Sequence, residues 1–345
     1  MIFQNMEFYN AAEVEASPAG YRIYRFPKEV RETMGEGKER YGRYVSQTTA
    51  GCEIRFVTEG DRTLISLSSL DEDGYVQIFR GDFQYYSGYT YSFPVKRGQM
   101  THIMLQNNRA MDEAAPPLKK GAFSHCVWRI LSDINFILTF QNIETFGYQI
   151  RPPKPEEVPQ KTLLCYGTSL TYGACATAHS ISYSQLLGRF LGCNILNKAM
   201  GGSCMNERTV ADYFAGGGEH FDAVLLENAV NMSDMPGAYE KNTSYLLERL
   251  TKAFPDIPIY CVTAYPNASI AEGESAFPCR KKEAGADRFQ GDRIMRKLAE
   301  KYSSCHIIEG EQIMDCFTDL TVDLVHLSDY GHIRVAQRLA EKIHF

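Results

Sequence analysis

Residues 161–173 read Lys161-Thr162-Leu163-Leu164-Cys165-Tyr166-Gly167-Thr168-Ser169-Leu170-Thr171-Tyr172-Gly173, and they decide the fold of the second half of this chain. The stretch begins with a short apolar run that is typical of a fully buried strand, and the run ends at Gly167. Ser169 is therefore predicted to lie at a strand end, where side chains of an open parallel sheet face a crevice. A serine there is a candidate nucleophile. The alternative is a turn serine that caps the next helix.

Strand-like and helical segments alternate through the rest of this half. Apolar runs predict strands at 163–166, 193–197, 223–227, 259–264 and 306–309. Helical spacing of apolar residues predicts helices at 181–191, 239–254, 288–302 and 331–343. This alternation indicates βαβ units, and hence an α/β fold with a parallel sheet that has helices on both faces.

The first part of the chain has a different pattern. Short segments rich in β-branched and aromatic residues, many alternating apolar with polar, predict strands at 21–26, 52–57, 63–67, 75–79, 89–93, 102–105 and 135–140. We expect an all-β sandwich of jelly-roll type over residues 1–150, with Trp128 in its core. Four prolines mark residues 151–160 as a linker, and the α/β domain then spans 161–345. A short helix is predicted at 27–35.

Composition limits the class of protein. The 345 residues carry a net charge of -6 and no long basic run, which argues against nucleic acid as a partner. No signal peptide or membrane-spanning run is visible. The ten cysteines include no C-x-x-C pair, which favours reduced thiols in a cytoplasmic protein over a structural zinc site.

Other predicted strand ends carry further polar residues and glycines. Gly201 and Gly202 follow one strand, Asn231 follows another, and Asp323 and His326 precede the last helix. With Ser169, this order resembles the SGNH (GDSL) hydrolase superfamily, whose four blocks carry Ser, Gly, Asn and His. The resemblance covers about residues 161–345 and implies a flavodoxin-like, three-layer domain. It implies that Ser169 is the nucleophile and that Asp323 and His326 complete a catalytic triad. The oxyanion hole would comprise the Ser169 N–H, the Gly202 N–H and the Asn231 side chain.

The chemistry of these residue types agrees with that assignment. A serine hydroxyl needs a neighbouring base, and histidine has a suitable pKa near neutrality. A carboxylate on the far ring nitrogen fixes the tautomer of the imidazole. The blocks also depart from the family pattern: Thr168 replaces the Asp of Gly-Asp-Ser-Leu, which removes a structural carboxylate. Ala229 and Met232 replace the Gly and Asp of the Asn block.

Four further residues compete for functional roles. His332 is expected in the first turn of the last helix, and Asn228 is expected to be structural. Asp222 lies at a strand start, which is the wrong end of the sheet. His179 follows the nucleophile block and is expected to be solvated, although it could border the acyl pocket.

A β-sandwich ahead of such a domain resembles two-domain carbohydrate esterases and related acyl hydrolases or acyltransferases. This resemblance implies a serine esterase that removes a short acyl group, most simply acetyl, from a carbohydrate or another small polyhydroxylated molecule. Cytoplasmic location would favour oligosaccharides over intact polymer, and no metal or other cofactor is required. One alternative is an acyltransferase with the same triad, and another is a carbohydrate-binding protein that has lost catalysis. A lipase is less favoured because residues 265–287 are rich in charge, Gly and Pro. A homo-oligomer is possible, and no membrane partner is expected.

Overall fold

The computed structural model describes residues 1–34, 40–88, 90–114, 121–267 and 290–345, without the side chains of Arg40 and Arg109. Two antiparallel sheets are followed along the chain by one parallel sheet. This architecture confirms the predicted fold class, an α/β region preceded by an all-β region. Within the described residues, no helix is both long enough and apolar enough to cross a membrane.

The antiparallel region forms a sandwich around one core. One sheet has the strand order β1-β2-β5-β11-β7-β8, with β13 beside β5 and β9 beside β7, and the other has the order β10-β6-β12-β4-β3. Apolar side chains from both sheets, including the buried Trp128, share one cluster, as predicted. The jelly-roll type of this sandwich stays a prediction. The strands are β1 (Ile2–Phe3), β2 (Met6–Tyr9), β3 (Glu13–Ser17), β4 (Gly20–Tyr24), β5 (Glu53–Thr58), β6 (Arg62–Ser69), β7 (Gly74–Arg80), β8 (Phe83–Gln84), β9 (Ser92–Val95), β10 (Thr101–Gln106), β11 (Val127–Ser132), β12 (Leu138–Glu144) and β13 (Ile150–Arg151).

Within the part of this region that the structure describes, three helices interrupt the strands: α1 (Lys28–Thr33), α2 (Arg40–Gln47) and α3 (Arg109–Ala114). The first confirms the short helix predicted at 27–35. Val30 of α1 and Val45 of α2 belong to the same buried cluster as Leu164 and Tyr166 of the parallel sheet. Part of the first region therefore packs directly on the second, and the predicted boundaries at 150 and 160 stay a prediction.

The parallel sheet consists of β14 (Thr162–Gly167), β15 (Asn194–Asn197), β16 (Ala223–Glu227), β17 (Ile259–Val262) and β18 (Cys305–Ile308). Its spatial order is β15-β14-β16-β17-β18, in which the first strand lies between the second and the third. That order is the flavodoxin-like one, and it creates a switch point at the carboxyl end of β14. The stretch that carries Ser169 therefore lies where folds of this topology bind ligands.

Helices cover both faces of this sheet because successive residues of each buried strand point to opposite sides. Leu164 and Leu226 face one cluster, whereas Leu163 and Leu225 face the other. The helices are α4 (Ser169–Tyr172), α5 (Tyr183–Leu191), α6 (Arg208–Ala215), α7 (Pro236–Ala253), α8 (Gln290–Ala299), α9 (Gly310–Ile313) and α10 (Asp329–Ala340).

Candidate active site

A tight turn after β14 presents Ser169. Gly167 ends the strand where a Cβ would lie 2.3 Å from Thr171 Oγ1 and 2.5 Å from the Glu227 carbonyl oxygen, so only glycine fits. Thr168 is the N-cap of α4, and its hydroxyl accepts a hydrogen bond from Leu170 N. Ser169 opens this four-residue helix and remains partly exposed. The turn therefore holds the serine at the carboxyl end of the sheet, as the sequence predicts.

The structure brings Ser169, His326 and Asp323 together in one hydrogen-bonded chain. Ser169 Oγ lies 2.9 Å from His326 Nε2, and His326 Nδ1 lies 2.6 Å from Asp323 Oδ2. The residues of the Ser–His pair are 157 positions apart in sequence, so folding alone creates this contact. A hydroxyl on one ring nitrogen and a carboxylate on the other form the arrangement that activates a serine nucleophile.

Asp323 is itself held firmly by its own loop. Its Oδ1 accepts hydrogen bonds from Thr321 Oγ1 at 2.7 Å, from Val325 N at 2.8 Å and from His326 N at 2.9 Å. Partial burial raises the pKa of this carboxyl, but hydrogen bonds from the side chain and backbone of His326, from Thr321 and from Val325 outweigh it. The pKa of Asp323 is consequently well below its ordinary value. The group stays ionised and can stabilise an imidazolium.

Gly202 and Asn231, the two predicted oxyanion donors, follow the strands on either side of β14, Gly202 in the loop after β15 and Asn231 in a short 3-10 helix, Val230–Met232, after β16. The loop after β15 is joined to β14 by a hydrogen bond from Met200 N to Gly167 O at 2.8 Å. Gly202 has a φ of 69°, a conformation that favours glycine. Asn231 Oδ1 accepts a hydrogen bond from Cys204 N at 3.1 Å, so its Nδ2 group is the end of the amide left to donate. Their part in an oxyanion hole stays a prediction.

Comparison with known families agrees with this geometry. The model of the GDSL-like lipase/acylhydrolase family matches residues 160–344, just over half of the chain. The chain belongs to this family. The match confirms the resemblance to SGNH hydrolases that the four sequence blocks carry, and it makes the protein a member of a family of esterases and acyltransferases. A search of curated protein sequences finds no significant match.

Solved structures share the fold of this GDSL-family chain over nearly its whole length. A salicylyl-acyltransferase from a tetracycline biosynthetic pathway matches with a TM-score of 0.77 and 12% identity, over 98% of this chain and 95% of its own. A GDSL-like lipase from Bacteroides ovatus matches with a TM-score of 0.67 and 18% identity, over 99% and 97%. A family two carbohydrate esterase from Clostridium thermocellum, solved with cellohexaose, matches with a TM-score of 0.61 and 12% identity, over 98% of both chains. The fold is therefore shared with these structures over nearly the whole length of each chain.

The prediction that His179 is solvated is wrong. The His179 ring is completely buried, and its Nε2 lies 3.4 Å from Gln185 Nε2. A Cβ on Gly51 of the antiparallel region would lie 3.0 Å from the same nitrogen, so the two regions enclose the ring together. Burial lowers the pKa of His179 to about 3, with smaller contributions from Arg25 and His332. His179 is a neutral core histidine.

The other competing residues have structural roles, as expected. His332 lies in the first turn of α10, where its Nδ1 accepts a hydrogen bond from Tyr183 N at 3.2 Å. Asn228 Oδ1 accepts from Tyr239 Oη at 3.1 Å. Asp222 accepts from Lys161 and from Thr162 N just before β16, at the amino end of the sheet.

One possible metal-binding group occurs among the described residues, and it overlaps the Ser–His–Asp chain. Cys175, Asp323 and His326 place ligand atoms within 4.8 Å of one another. Asp323 and His326 already bond to each other, so their hydrogen bond accounts for the proximity of two of the three residues. The nine cysteines within the described residues are free thiols, as predicted, and Cys279 lies outside those residues.

Sequence reasoning missed two residues beside this site. Tyr41 of α2 is half exposed, and its ring lies 3.2 Å from the place where a Cβ on Gly202 would be. Glu227 at the end of β16 contacts both sides of the nucleophile turn. Neither position belongs to a family block, and Tyr41 is far from the others in sequence. Only the structure shows that Tyr41 lies beside Gly202 and that Glu227 lies beside the turn that carries Ser169.

Proposed function

We propose that this protein is a serine esterase that removes a short acyl group, with acetyl the expected one, from a carbohydrate or another small polyhydroxylated substrate. The observation that carries the proposal is the hydrogen-bonded chain from Ser169 Oγ through His326 to Asp323. Membership of the GDSL-like lipase/acylhydrolase family supports ester chemistry. The carbohydrate esterases that share the fold support a sugar as the alcohol.

In the proposed reaction, Ser169 Oγ attacks the ester carbonyl carbon while His326 Nε2 takes the hydroxyl proton. The Ser169 and Gly202 amides and Asn231 Nδ2 would donate to the oxyanion of the tetrahedral intermediate. Collapse expels the sugar alkoxide, which takes the proton from His326, and leaves an acyl-enzyme. Water then attacks with His326 as base, releasing the carboxylic acid and restoring the serine. The ionised Asp323 stabilises the imidazolium in both steps.

The first experiment is a measurement of acetate release from acetylated oligosaccharides and of p-nitrophenyl ester hydrolysis as the acyl chain lengthens. A short-acyl esterase should lose kcat/KM steadily beyond a few carbons, and a fluorophosphonate should label Ser169 at one equivalent. Intact protein that neither hydrolyses acetyl esters nor reacts with the fluorophosphonate would overturn the proposal.

Acyl transfer to an alcohol is the second candidate, supported by the fold shared with a salicylyl-acyltransferase. The same residues would form the acyl-enzyme, and an acceptor hydroxyl would replace water. Product analysis with a sugar or a simple alcohol present separates the two, since a transferase yields a new ester in excess of free acid.

Removal of the Asn231 amide should slow the chemical step without weakening substrate binding. We expect Asn231→Ala to lower kcat about 10²- to 10³-fold with little change in KM, because an oxyanion donor acts mainly in the transition state. Steady-state kinetics on p-nitrophenyl acetate measures this effect. A near-normal kcat in folded Asn231→Ala would exclude Asn231 from the oxyanion hole.

Truncation of Tyr41 should affect large substrates selectively. Its half-exposed ring beside Gly202 offers an apolar wall for the alcohol part of the ester. We expect Tyr41→Ala to lower kcat/KM on acetylated oligosaccharides about twofold to tenfold, equivalent to roughly 0.5–1.5 kcal/mol, and to leave p-nitrophenyl acetate hydrolysis unchanged. Tyr75→Ala is the matched control because Tyr75 is similarly exposed on β7 of the same region. Equal losses in both variants would contradict a role for Tyr41 at the site.

A further inference from the structure

Glu227 lies directly against the turn that carries Ser169. It ends β16 in register with Gly167 of β14, and its carbonyl oxygen accepts a hydrogen bond from Thr168 N at 3.0 Å. Its carboxylate turns toward the same place, because Oε2 lies 3.1 Å from that nitrogen. The residue is only 1% exposed. It can therefore influence the reaction only through the residues around it.

Hydroxyl groups from both sides of Ser169 converge on this carboxylate. Thr168 Oγ1 lies 2.8 Å from Oε2 and 3.0 Å from Oε1, and Thr171 Oγ1 lies 3.0 Å from Oε2. Thr168 immediately precedes the serine, and Thr171 follows two residues later. The carboxylate thus fixes both sides of the turn that sets the direction of the Ser169 side chain. That direction determines the 2.9 Å approach of Ser169 Oγ to His326 Nε2.

An ionised carboxylate buried at position 227 is energetically unfavourable, and a neutral side chain would avoid this penalty. Burial raises the pKa of Glu227 to about 7, against the hydrogen bonds from Thr168 and Thr171 that lower it. Burial raises the pKa of Tyr183 and Tyr265, and the nearby charge of Glu227 raises it further. A glutamine would remove the charge, but it offers one acceptor oxygen and turns an NH₂ group toward other donors. Oε2 lies within 3.1 Å of all three donor atoms, and Oε1 also lies 3.0 Å from Thr168 Oγ1, so an NH₂ group in place of Oε1 would face a hydroxyl that already donates.

We infer that Glu227 is a positioning residue for the nucleophile. From the neighbouring strand it delivers the carboxylate that the Gly-Asp-Ser-Leu pattern places immediately before the serine. Thr168 occupies that position in this chain, and its hydroxyl donates to Glu227. This inference rests on the proposed function, since it takes Ser169 to be the nucleophile.

The first test compares Glu227→Gln with Glu309→Gln. Glu309 also follows a strand of the parallel sheet and accepts a threonine hydroxyl, from Thr263 at 2.9 Å, but it pairs with Arg296 and has no contact with the nucleophile turn in the structure. We expect Glu227→Gln to lower kcat on p-nitrophenyl acetate about tenfold to a hundredfold with KM nearly unchanged, because small misplacements of a reacting atom are costly. Its rate of fluorophosphonate labelling should fall in parallel. Glu309→Gln should keep both values.

A second pair of variants keeps the test decisive if Glu227→Gln does not fold. Thr168→Ser retains the hydroxyl that donates to Glu227, whereas Thr168→Val removes it at nearly constant volume. We expect Thr168→Ser to keep most of kcat and Thr168→Val to lose about tenfold. A third variant, Thr168→Asp combined with Glu227→Gln, moves the carboxylate to position 168. The double variant should have a higher kcat than Glu227→Gln. Thr168→Asp alone places two carboxylates together, so the folded protein should be less stable than wild type.

The outcomes separate this inference from the proposed function. Folded Glu227→Gln with wild-type kcat and labelling rate would overturn the positioning role. Equal kcat in Thr168→Ser and Thr168→Val would overturn it as well. In either case, an inactive Ser169→Ala would leave the esterase proposal standing. An unchanged Ser169→Ala would overturn the esterase proposal, and the inference with it.

Discussion

Replacement of Ser169 by alanine should reduce ester hydrolysis on the order of 10⁵- to 10⁶-fold in kcat, because no acyl-enzyme can form without the hydroxyl. The residual rate would come from the oxyanion donors and from substrate binding, which the substitution leaves in place. KM should change little. Steady-state hydrolysis of p-nitrophenyl acetate measures the loss, and labelling by a fluorophosphonate should disappear with it.

The control for this substitution is Ser303→Ala. Ser303 is exposed and lies just before β18, at the opposite end of the sheet from Ser169. Its replacement should leave kcat, KM and labelling at wild-type values. Activity of Ser169→Ala within tenfold of wild type, after removal of contaminating esterase, would show that another group is the nucleophile.

The strands of the parallel sheet could be predicted from sequence because each contains a short apolar run, although β15 begins and ends with Asn and His306 interrupts β18. β16 was predicted at 223–227 and spans Ala223–Glu227, and β14 extends only one residue beyond the predicted 163–166 at each end. Burial on both faces forces such composition on a strand. The candidate site benefits from the same regularity, since Ser169 immediately follows the Gly167-Thr168 strand end.

Elements whose burial depends on distant partners could not be predicted in the same way. β11, Val127–Ser132, has a largely buried arginine at position 129, and this charge interrupts the apolar pattern. Arg129 is tolerated because it pairs with Glu53 on β5, which sequence spacing does not reveal. α6, Arg208–Ala215, is rich in β-branched and aromatic residues, which have low helix propensity. Tertiary packing in both cases overrides the local pattern.

The error at His179 has the same origin. The residue stands in the stretch Cys175-Ala176-Thr177-Ala178-His179-Ser180, whose small and polar residues predict a solvated loop. Contact with Gly51 of the antiparallel region covers the ring. The positions of Tyr41 and Glu227 beside the nucleophile turn likewise depend on which elements pack together. Family blocks therefore predict the residues for the chemical steps, whereas the supporting residues become visible only in the structure.

Replacement of Asp323 by asparagine should lower kcat on the order of 10³- to 10⁴-fold, with the protein still folded and KM little changed. The carboxylate bonds His326 Nδ1 at 2.6 Å and thereby keeps the proton on that nitrogen, leaving Nε2 free to accept from Ser169. An amide can turn its NH₂ group toward Nδ1 and favour the opposite tautomer, in which Nε2 cannot act as base. It also cannot stabilise an imidazolium by charge. Hydrolysis of p-nitrophenyl acetate between pH 5 and 9 measures both effects.

The matched control is Asp329→Asn, which changes a partly exposed carboxylate three residues beyond His326. Asp329 accepts hydrogen bonds from the backbone and hydroxyl of Thr177, each at 2.9 Å, and so supports the neighbouring loop without touching the imidazole in the structure. We expect its kcat to stay within severalfold of wild type. Because hydrogen bonds hold the pKa of Asp323 well below its ordinary value, the wild-type carboxylate stays ionised throughout this pH range. If Asp323→Asn kept kcat within tenfold of wild type at every pH, other contacts would have to orient His326, and the site would operate as a Ser–His pair.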